Sequence, residues 1–258
     1  MTAGRAIVVM AQKGGVGKTH IAKSLYDILP TRGRSVAAWD IDAETGTFAA
    51  YDAAIHTFDL NDKDNTSSWL DDCFRTDVGD VLIDVPGGHI DDVIDTFGDG
   101  GAEALVATVA ESGRDLVVVT PIGVMLAETV TAQVALNAFA GTSARLVVVK
   151  NGRFGAADDF VIYDGIEEQG VRRYGATGTL ARAVGAETVF LPALAPRLCA
   201  RIDAERLRLS EAAGRLGIER LGRLNATRVQ MYLKSVVDAF AGSSLDTDGN
   251  VPGRTVRS

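Results

Sequence analysis

Short apolar runs recur along this chain, separated by stretches in which apolar residues return every three or four positions. The runs are four to six residues long and rich in aliphatic, often β-branched, side chains. Such runs are typical of strands buried on both faces of a sheet. They predict strands at 6–11, 35–39, 80–84, 115–120, 145–149 and 188–191.

The segments between these runs have the spacing of amphipathic helices. The first predicted helix begins near Thr19 and ends before Pro30 and Gly33. Strands that alternate with helices predict a single α/β domain with a mostly parallel, twisted sheet flanked by helices. The other predicted helices lie at 101–112, at 127–139, within 158–169, at 201–215 and at 225–241.

Length and composition fit one such domain, because 47% of the 258 residues are hydrophobic and 23% are charged. We assign the domain to residues 1–242 and predict a disordered tail at 243–258, which is polar and carries glycine and proline. Cys73 and Cys199 lack metal-ligand spacing, and no secretory signal or apolar run of about twenty residues is present. We therefore expect a cytoplasmic protein and no membrane partner.

Charge is distributed unevenly along the chain. The formal net charge is −8, which argues against a protein whose whole surface binds nucleic acid. Residues 40–115 contain 19 acidic and 3 basic side chains, whereas residues 197–234 contain 9 basic and 4 acidic ones. Any contact with DNA is therefore expected in the later segment.

The first predicted strand leads into a glycine-rich turn with the sequence QKGGVGKTH at 12–20. Glycines allow successive backbone N–H groups to point at an anion, and the start of the next helix adds its positive dipole end. Lys18 is expected to reach the β- and γ-phosphates, and the Thr19 hydroxyl to bind Mg²⁺. Two lysines in one tight turn repel each other unless an anion lies between them. The turn predicts a P-loop NTPase whose nucleotide-binding residues are Lys13, Gly14, Gly15, Val16, Gly17, Lys18, Thr19 and His20.

Carboxylates follow two of the predicted strands, at the sheet edge where ligands gather in open parallel sheets. Asp84 ends the strand VLID and is predicted to hold Mg²⁺ directly or through water. Asp40 is a candidate second-shell magnesium ligand, and Asp42 is better placed to orient the attacking water. The predicted metal-site residues are therefore Thr19, Asp40 and Asp84, and the expected cofactors are ATP and Mg²⁺.

Several segments together resemble the ParA/MinD superfamily of deviant Walker A ATPases, over nearly residues 5–217. The leading lysine of KGGVGKT, the pair Asp-x-Asp in WDIDAETGTFAAY, and the segments VLIDVPGG, VVVKNG, VFLPAL and LSEAAGRLG carry the resemblance. The chain departs from the family pattern at Gln12, at Ala43-Glu44, where Pro-Gln is usual, and at His20, where a small hydroxyl residue is usual. The overall texture is closest to ATPases encoded with plasmid conjugation or partition systems.

The resemblance implies an ATP-bound homodimer in which Lys13 crosses to the phosphates of the other subunit. It implies that Asn151 reads the adenine edge and that Pro192 packs near the base. With Lys18 and Asp42, Lys13 completes the expected catalytic set. It further implies slow ATP hydrolysis that an adaptor protein stimulates.

Two questions stay open at the level of sequence. The arginines of the basic segment either bind nonspecific DNA or form a solvated face of ion pairs with the interleaved acids. The switch acts either in DNA partition or conjugal transfer, or as a MinD-like positioning ATPase at a membrane or on protein partners, or as a nucleotide-sensing scaffold with negligible hydrolysis. The last helix is expected to pack on the core. The candidate DNA-binding residues are Arg201, Arg208, Arg215, Arg220 and Arg223.

Overall fold

The protein is described here from a computed structural model, which covers residues 4–42, 46–60, 72–74, 79–96 and 100–246. A seven-stranded parallel sheet forms its centre, and the predicted α/β fold with a parallel sheet is therefore confirmed. The strands of this sheet are β1 Gly4–Val9, β2 Val36–Asp40, β3 His56–Thr57, β4 Asp80–Asp84, β5 Arg114–Ile122, β6 Arg145–Asn151 and β9 Glu187–Leu191. Their order across the sheet is β3-β2-β4-β1-β5-β6-β9.

Helices cover both faces of the sheet. Residues of α1 and of the late helices pack on one face, and residues of α2, α3 and α5 pack on the other. The helices are α1 Lys18–Ile28, α2 Ile90–Asp95, α3 Gly101–Glu111, α4 Leu126–Thr129, α5 Ala132–Ala138, α6 Val161–Asp164, α7 Ala176–Ala183, α8 Pro196–Ala204, α9 Leu209–Ala213, α10 Arg215–Leu221 and α11 Arg223–Phe240.

The first strand and the residue after it show why the sequence is apolar at every position from 6 to 10. Ala6, Val8 and Met10 belong to one hydrophobic cluster, and Ile7 and Val9 belong to the other. Successive side chains of a strand point to opposite faces, so a strand covered by helices on both sides has no face left for polar residues. The sheet thus separates two hydrophobic cores.

The last helix, α11, packs on the core as expected. Val229, Val236 and Phe240 are buried against the cluster that also contains Ile21 and Leu25 of α1. In the ranges that the structure describes, no helix combines the length and the apolar character needed to cross a bilayer.

Two segments differ from the prediction. The helix expected at 201–215 is interrupted, because Arg206 has a φ of 52° between α8 and α9. In the segment 158–169, the α-helical part is the short α6 Val161–Asp164, and β7 Ile166–Glu168 follows it and forms an antiparallel hairpin with β8 Val171–Arg173.

The first four residues of the predicted disordered tail, 243–246, pack against the sheet. Leu245 is fully buried, and the Ser244 hydroxyl and N–H both donate to the Glu187 carboxylate. The Arg5 guanidinium donates to the carbonyl oxygens of Ser244 and Asp246, at 3.2 and 3.1 Å. These contacts place 243–246 inside the fold, which corrects the boundary at 242; residues 247–258 lie outside the described ranges.

Candidate functional site

The glycine-rich turn joins the end of β1 to the start of α1. Gly15 and Gly17 have φ angles of 79° and 98°, which L side chains rarely adopt. Gly17 caps α1, whose N-terminus has no side-chain cap and no acidic residue in its first turn. The N–H groups at this helix start are therefore available to an anion, as the sequence predicted for a phosphate loop.

The Lys18 ammonium lies inside this turn. The residue is buried, and its Nζ donates to the carbonyl oxygen of Lys13 at 3.4 Å. Burial lowers the pKa of Lys18, while the nearby carboxylates of Asp84 and Asp42 act in the opposite direction. The structure thus brings Lys18, Asp42 and Asp84 into one electrostatic neighbourhood.

Asp84 is the most informative carboxylate. It is 2% exposed at the end of β4, and its Oδ1 has no hydrogen-bond partner among the described residues. Its pKa is raised to about 7, first by burial and further by the neighbouring Asp40, while the hydrogen bond from Thr19 acts in the opposite direction. A buried carboxylate oxygen without a partner is costly unless a cation or water completes it. The pair of Asp84 and the Thr19 hydroxyl therefore fits Mg²⁺, which takes few protein ligands and keeps waters and phosphate oxygens.

No larger metal cluster competes with this pair: within the described ranges, no three His, Cys, Asp or Glu side chains gather around one point. Asp40 stands beside Asp84 in the register of β2 and β4. Its Oδ1 accepts the N–H of Asp42 at 3.0 Å, and its Oδ2 accepts those of Phe48 and Ala49 at 2.9 and 2.8 Å. Asp40 therefore holds the backbone of the following segment, and its role as a second-shell magnesium ligand stays a prediction.

Asp42 and Gly87 stand in the segments that follow β2 and β4. The Asp42 carbonyl accepts the N–H of Gly46 at 2.9 Å, and 43–45 lie outside the described residues. Gly87 lies against the phosphate loop, because a Cβ there would lie 2.9 Å from Gly14 N and 3.2 Å from Lys18 Nζ. The segment after β4 thus packs directly on the phosphate loop.

Lys13 lies at the surface of the turn. Its backbone N–H donates to the Thr131 hydroxyl at 2.9 Å, and its side chain is exposed. Thr131 precedes α5 and follows a short exposed apolar segment, in which Met125 is 64% and Leu126 62% exposed. Lys13 therefore has a position from which it can contact another molecule.

A cavity of about 420 Å³ opens beside the phosphate loop. Gly15, Gly17, Lys18 and Thr19 are among its lining residues. This volume suits a small ligand, and such sites combine apolar walls with a few polar groups. The other lining residues include His20, Lys23, Arg153, Leu194, Pro196 and Cys199. The predicted base contact, Pro192, is not among the lining residues, whereas Leu194 and Pro196, the first residue of α8, are.

Asn151 lies at the end of β6, buried against the phosphate loop. It is 1% exposed, its Nδ2 donates to the Val16 carbonyl at 2.9 Å, and its Oδ1 accepts the Arg153 N–H at 3.1 Å. Each end of the amide therefore makes one hydrogen bond within the protein. That Asn151 reads the adenine edge stays a prediction.

The family model described as CobQ/CobB/MinD/ParA nucleotide binding domain matches residues 7–240. The chain belongs to this family. It is 25% identical over 234 residues to protein MobD of Acidithiobacillus ferrooxidans, covering 90% of this chain and 95% of MobD.

Two solved structures are similar to this chain. The septum site-determining protein MinD of Pyrococcus horikoshii, complexed with Mg-ADP, has a TM-score of 0.50 at 13% identity, covering 88% of this chain and 95% of MinD. A putative plasmid partition protein of Borrelia burgdorferi, bound to AMPPNP, has a TM-score of 0.49 at 12% identity, covering 92% of this chain and 98% of that one.

The basic segment at 197–234 is the part of the chain in which a contact with DNA is expected, so the partners of its charged side chains matter. Each of the four interleaved acids contacts a cation, which matches the alternative of an ion-paired face. Arg208 contacts Asp52 at 2.6 Å and Glu211 at 3.6 Å, so it is engaged within the fold. The other pairs are Arg215 with Glu219, Arg220 with Glu205, and Lys23 with Asp203. Arg201 donates to the Arg220 carbonyl, and Arg223 is exposed at the start of α11.

His20 occupies the family's usual hydroxyl position as a wall of the cavity. Its Nε2 lies 2.7 Å from the Tyr232 hydroxyl. Burial lowers its pKa to about 4, and the cations Lys23 and Arg153 act in the same direction. His20 is therefore neutral near pH 7.

The sequence did not point to three residues that contact the phosphate loop or line the cavity: Thr131, Gly87 and Tyr51. Gly87 had a signal, the breakers that follow VLID, whereas Thr131 contacts the loop across 118 positions of sequence. Tyr51 lines the cavity and accepts the Leu209 N–H at 2.5 Å, so it joins the segment after β2 to α9. Contacts of this kind are set by tertiary packing and leave no local pattern.

Proposed function

We propose that this chain is an ATPase that uses Mg-ATP-driven homodimerisation and ATP hydrolysis as a switch in plasmid partition or conjugal transfer. The observation that carries the proposal is buried Asp84, whose Oδ1 has no hydrogen-bond partner in the part of the chain that the structure describes, beside the Thr19 hydroxyl and Lys18 of the phosphate loop. The 25% identity to MobD supports the plasmid branch of the ParA/MinD resemblance.

The residues divide the work as follows. The N–H groups of Gly14 to Thr19 bind phosphate oxygens, and the Lys18 ammonium adds a positive charge among them. Thr19 and Asp84 hold Mg²⁺, which when bound neutralises charge on the β- and γ-phosphates. Asp42 orients the attacking water by accepting its hydrogen bond. Phosphoryl transfer needs positioning and charge compensation, which these groups provide.

The dimer uses the face that carries Lys13. The exposed Met125, Leu126 and Val130 surround a segment tied to Lys13 through Thr131. An exposed apolar patch beside an exposed cation suits an interface with a second copy, in which Lys13 reaches the partner's phosphates. ADP lacks the γ-phosphate that this lysine neutralises, so hydrolysis weakens the dimer.

An adaptor protein accelerates the slow intrinsic turnover, and nonspecific DNA is a second partner of the dimer. The DNA contact uses exposed arginines of the basic segment, whose surface ion pairs are weak enough to exchange for phosphates. The candidates are Arg201, Arg215, Arg220 and Arg223.

Phosphate release, measured with and without DNA, tests the enzyme, and sedimentation with ATP or ADP tests the switch. Wild-type protein should release phosphate slowly and sediment as a dimer only with Mg-ATP. The variant Lys13→Ala should bind ATP normally but stay monomeric. Binding without phosphate release would favour the nucleotide-sensing scaffold, and dimers of Lys13→Ala with ATP would refute the role of this lysine.

Binding assays with DNA and with lipid vesicles distinguish a partition switch from a MinD-like positioning ATPase. A mobility shift that is salt-sensitive, present with ATP and absent with ADP, is expected for a partition switch. Sedimentation with anionic lipid vesicles in place of DNA would favour the MinD-like alternative.

A further inference from the structure

The amide of Asn151 connects the end of β6 to the phosphate loop. Its Nδ2 donates to the Val16 carbonyl, which is 135 positions away in sequence, at 2.9 Å. Its Oδ1 accepts the Arg153 N–H at 3.1 Å. Because one partner is an acceptor and the other a donor, the orientation of the amide is unambiguous.

The contact with the loop is also steric. A Cβ built on Gly17 would lie 2.2 Å from Asn151 Nδ2, so the amide fills the space that a side chain would need there. Gly17 immediately precedes Lys18 and the start of α1. The amide is therefore seated on the last turn of the phosphate loop.

The hydrogen bond constrains a whole peptide plane. The Val16 carbonyl and the Gly17 N–H belong to one trans peptide and point in opposite directions. When Asn151 holds the carbonyl on the outer side of the loop, the Gly17 N–H is held toward the inner side. A glycine at a φ of 98° has little intrinsic preference for that orientation, so an external partner is needed to fix it.

We propose that Asn151 is a positioning residue for phosphate binding: it holds the Val16–Gly17 peptide so that the Gly17 N–H faces the phosphates, and it does not select the base. This inference rests on the proposed nucleotide site. It predicts that Asn151 contributes equally to every ligand that carries a triphosphate, whether or not a base is attached.

The test compares three ligands: Mg-ATP, Mg-GTP and magnesium tripolyphosphate, which has no base. In Asn151→Ala, all three dissociation constants should rise by the same factor, about tenfold for one lost buried hydrogen bond. The ratio of ATP to GTP affinity should stay within about twofold of wild type. Asn151→Asp, which keeps the shape but places an acceptor against the Val16 carbonyl, should weaken all three at least as much.

Thr120→Val is the matched control, because Thr120 is also 1% exposed, on the neighbouring β5, and its hydroxyl has no partner among the described residues. It should leave all three affinities unchanged. Thermal unfolding without ligand identifies variants that fail to fold, and binding is measured well below the midpoint.

The outcomes are distinct. Unchanged tripolyphosphate affinity in the Asn151 variants, with an altered ratio of ATP to GTP, would overturn the inference and restore base reading. Lowered thermal stability with unchanged affinities would show a purely structural role and also overturn it. Wild-type protein that binds the three ligands but neither dimerises nor hydrolyses ATP would refute the proposed function and leave this inference standing.

Discussion

His20 gives a prediction whose magnitude follows from the structure. Its pKa is lowered from 6.5 to about 4, first by burial and then by Lys23 and Arg153. At any pH between about 4 and 6.5, the unfolded chain therefore binds a proton at His20 that the folded protein does not bind. Stability contributed by neutral His20 is therefore complete above pH 6.5 and is lost as the pH falls toward 4. The loss is about 2 kcal/mol at pH 5 and about 3 kcal/mol at pH 4.

The assay is urea unfolding of wild type and His20→Gln from pH 8 to pH 4. Glutamine stays neutral and can still accept a hydrogen bond from Tyr232. The difference in unfolding free energy between the two proteins therefore reports the titration of His20, because the carboxylates titrate in both proteins alike. His89→Gln is the control, because His89 is a partly exposed histidine that contacts Asp92 at 2.6 Å. Equal pH slopes for wild type and His20→Gln, or an NMR titration of His20 near pH 6.5, would refute the reasoning.

Three further predictions concern the metal site, the dimer face and the sheet. ATP at one hundred times its dissociation constant stabilises the folded wild-type protein by about 2.7 kcal/mol. In Asp84→Asn, the part of this stabilisation that depends on Mg²⁺ should be lost, as measured by thermal shift with and without Mg²⁺. Leu126→Asp should weaken ATP-dependent dimerisation at least tenfold in sedimentation while ATP still binds, whereas Val161→Asp, on another exposed apolar residue, should not. Asp80→Asn should cost about 3–5 kcal/mol in urea unfolding, because it removes the buried carboxylate charge that pairs with both Arg5 and Arg34.

The parts of the fold that the sequence predicted are those with a local cause. The strands could be predicted because both faces of the sheet are covered, which makes each strand apolar at consecutive positions. The phosphate loop could be predicted because its glycines and lysines stand together in sequence. The interruption at Arg206 could not, since a positive φ at a residue other than glycine is imposed by packing, here around the buried Leu207.

The roles of polar side chains at the site were harder to predict than their positions. Asp40 and Asn151 both stand at strand ends, as expected, but their polar atoms are used to hold backbone groups. A carboxylate or an amide at such an edge can serve a ligand or a loop equally well. Only the identity of its hydrogen-bond partners decides which, and those partners lie on other segments of the chain.

Two hydrogen bonds of the Lys13 backbone connect the phosphate loop to the exposed apolar segment that precedes Thr131. Lys13 offers its carbonyl to Lys18 Nζ on the inner side of the loop and its N–H to Thr131 on the outer side. A triphosphate that draws the Lys18 ammonium toward itself competes for the bond to the Lys13 carbonyl. Any resulting shift of Lys13 acts on Thr131 and on the apolar residues that precede it. In the proposed switch, Lys13 alone can therefore couple nucleotide binding to dimerisation, because its carbonyl contacts the phosphate-binding Lys18 and its N–H contacts Thr131 at the proposed dimer face.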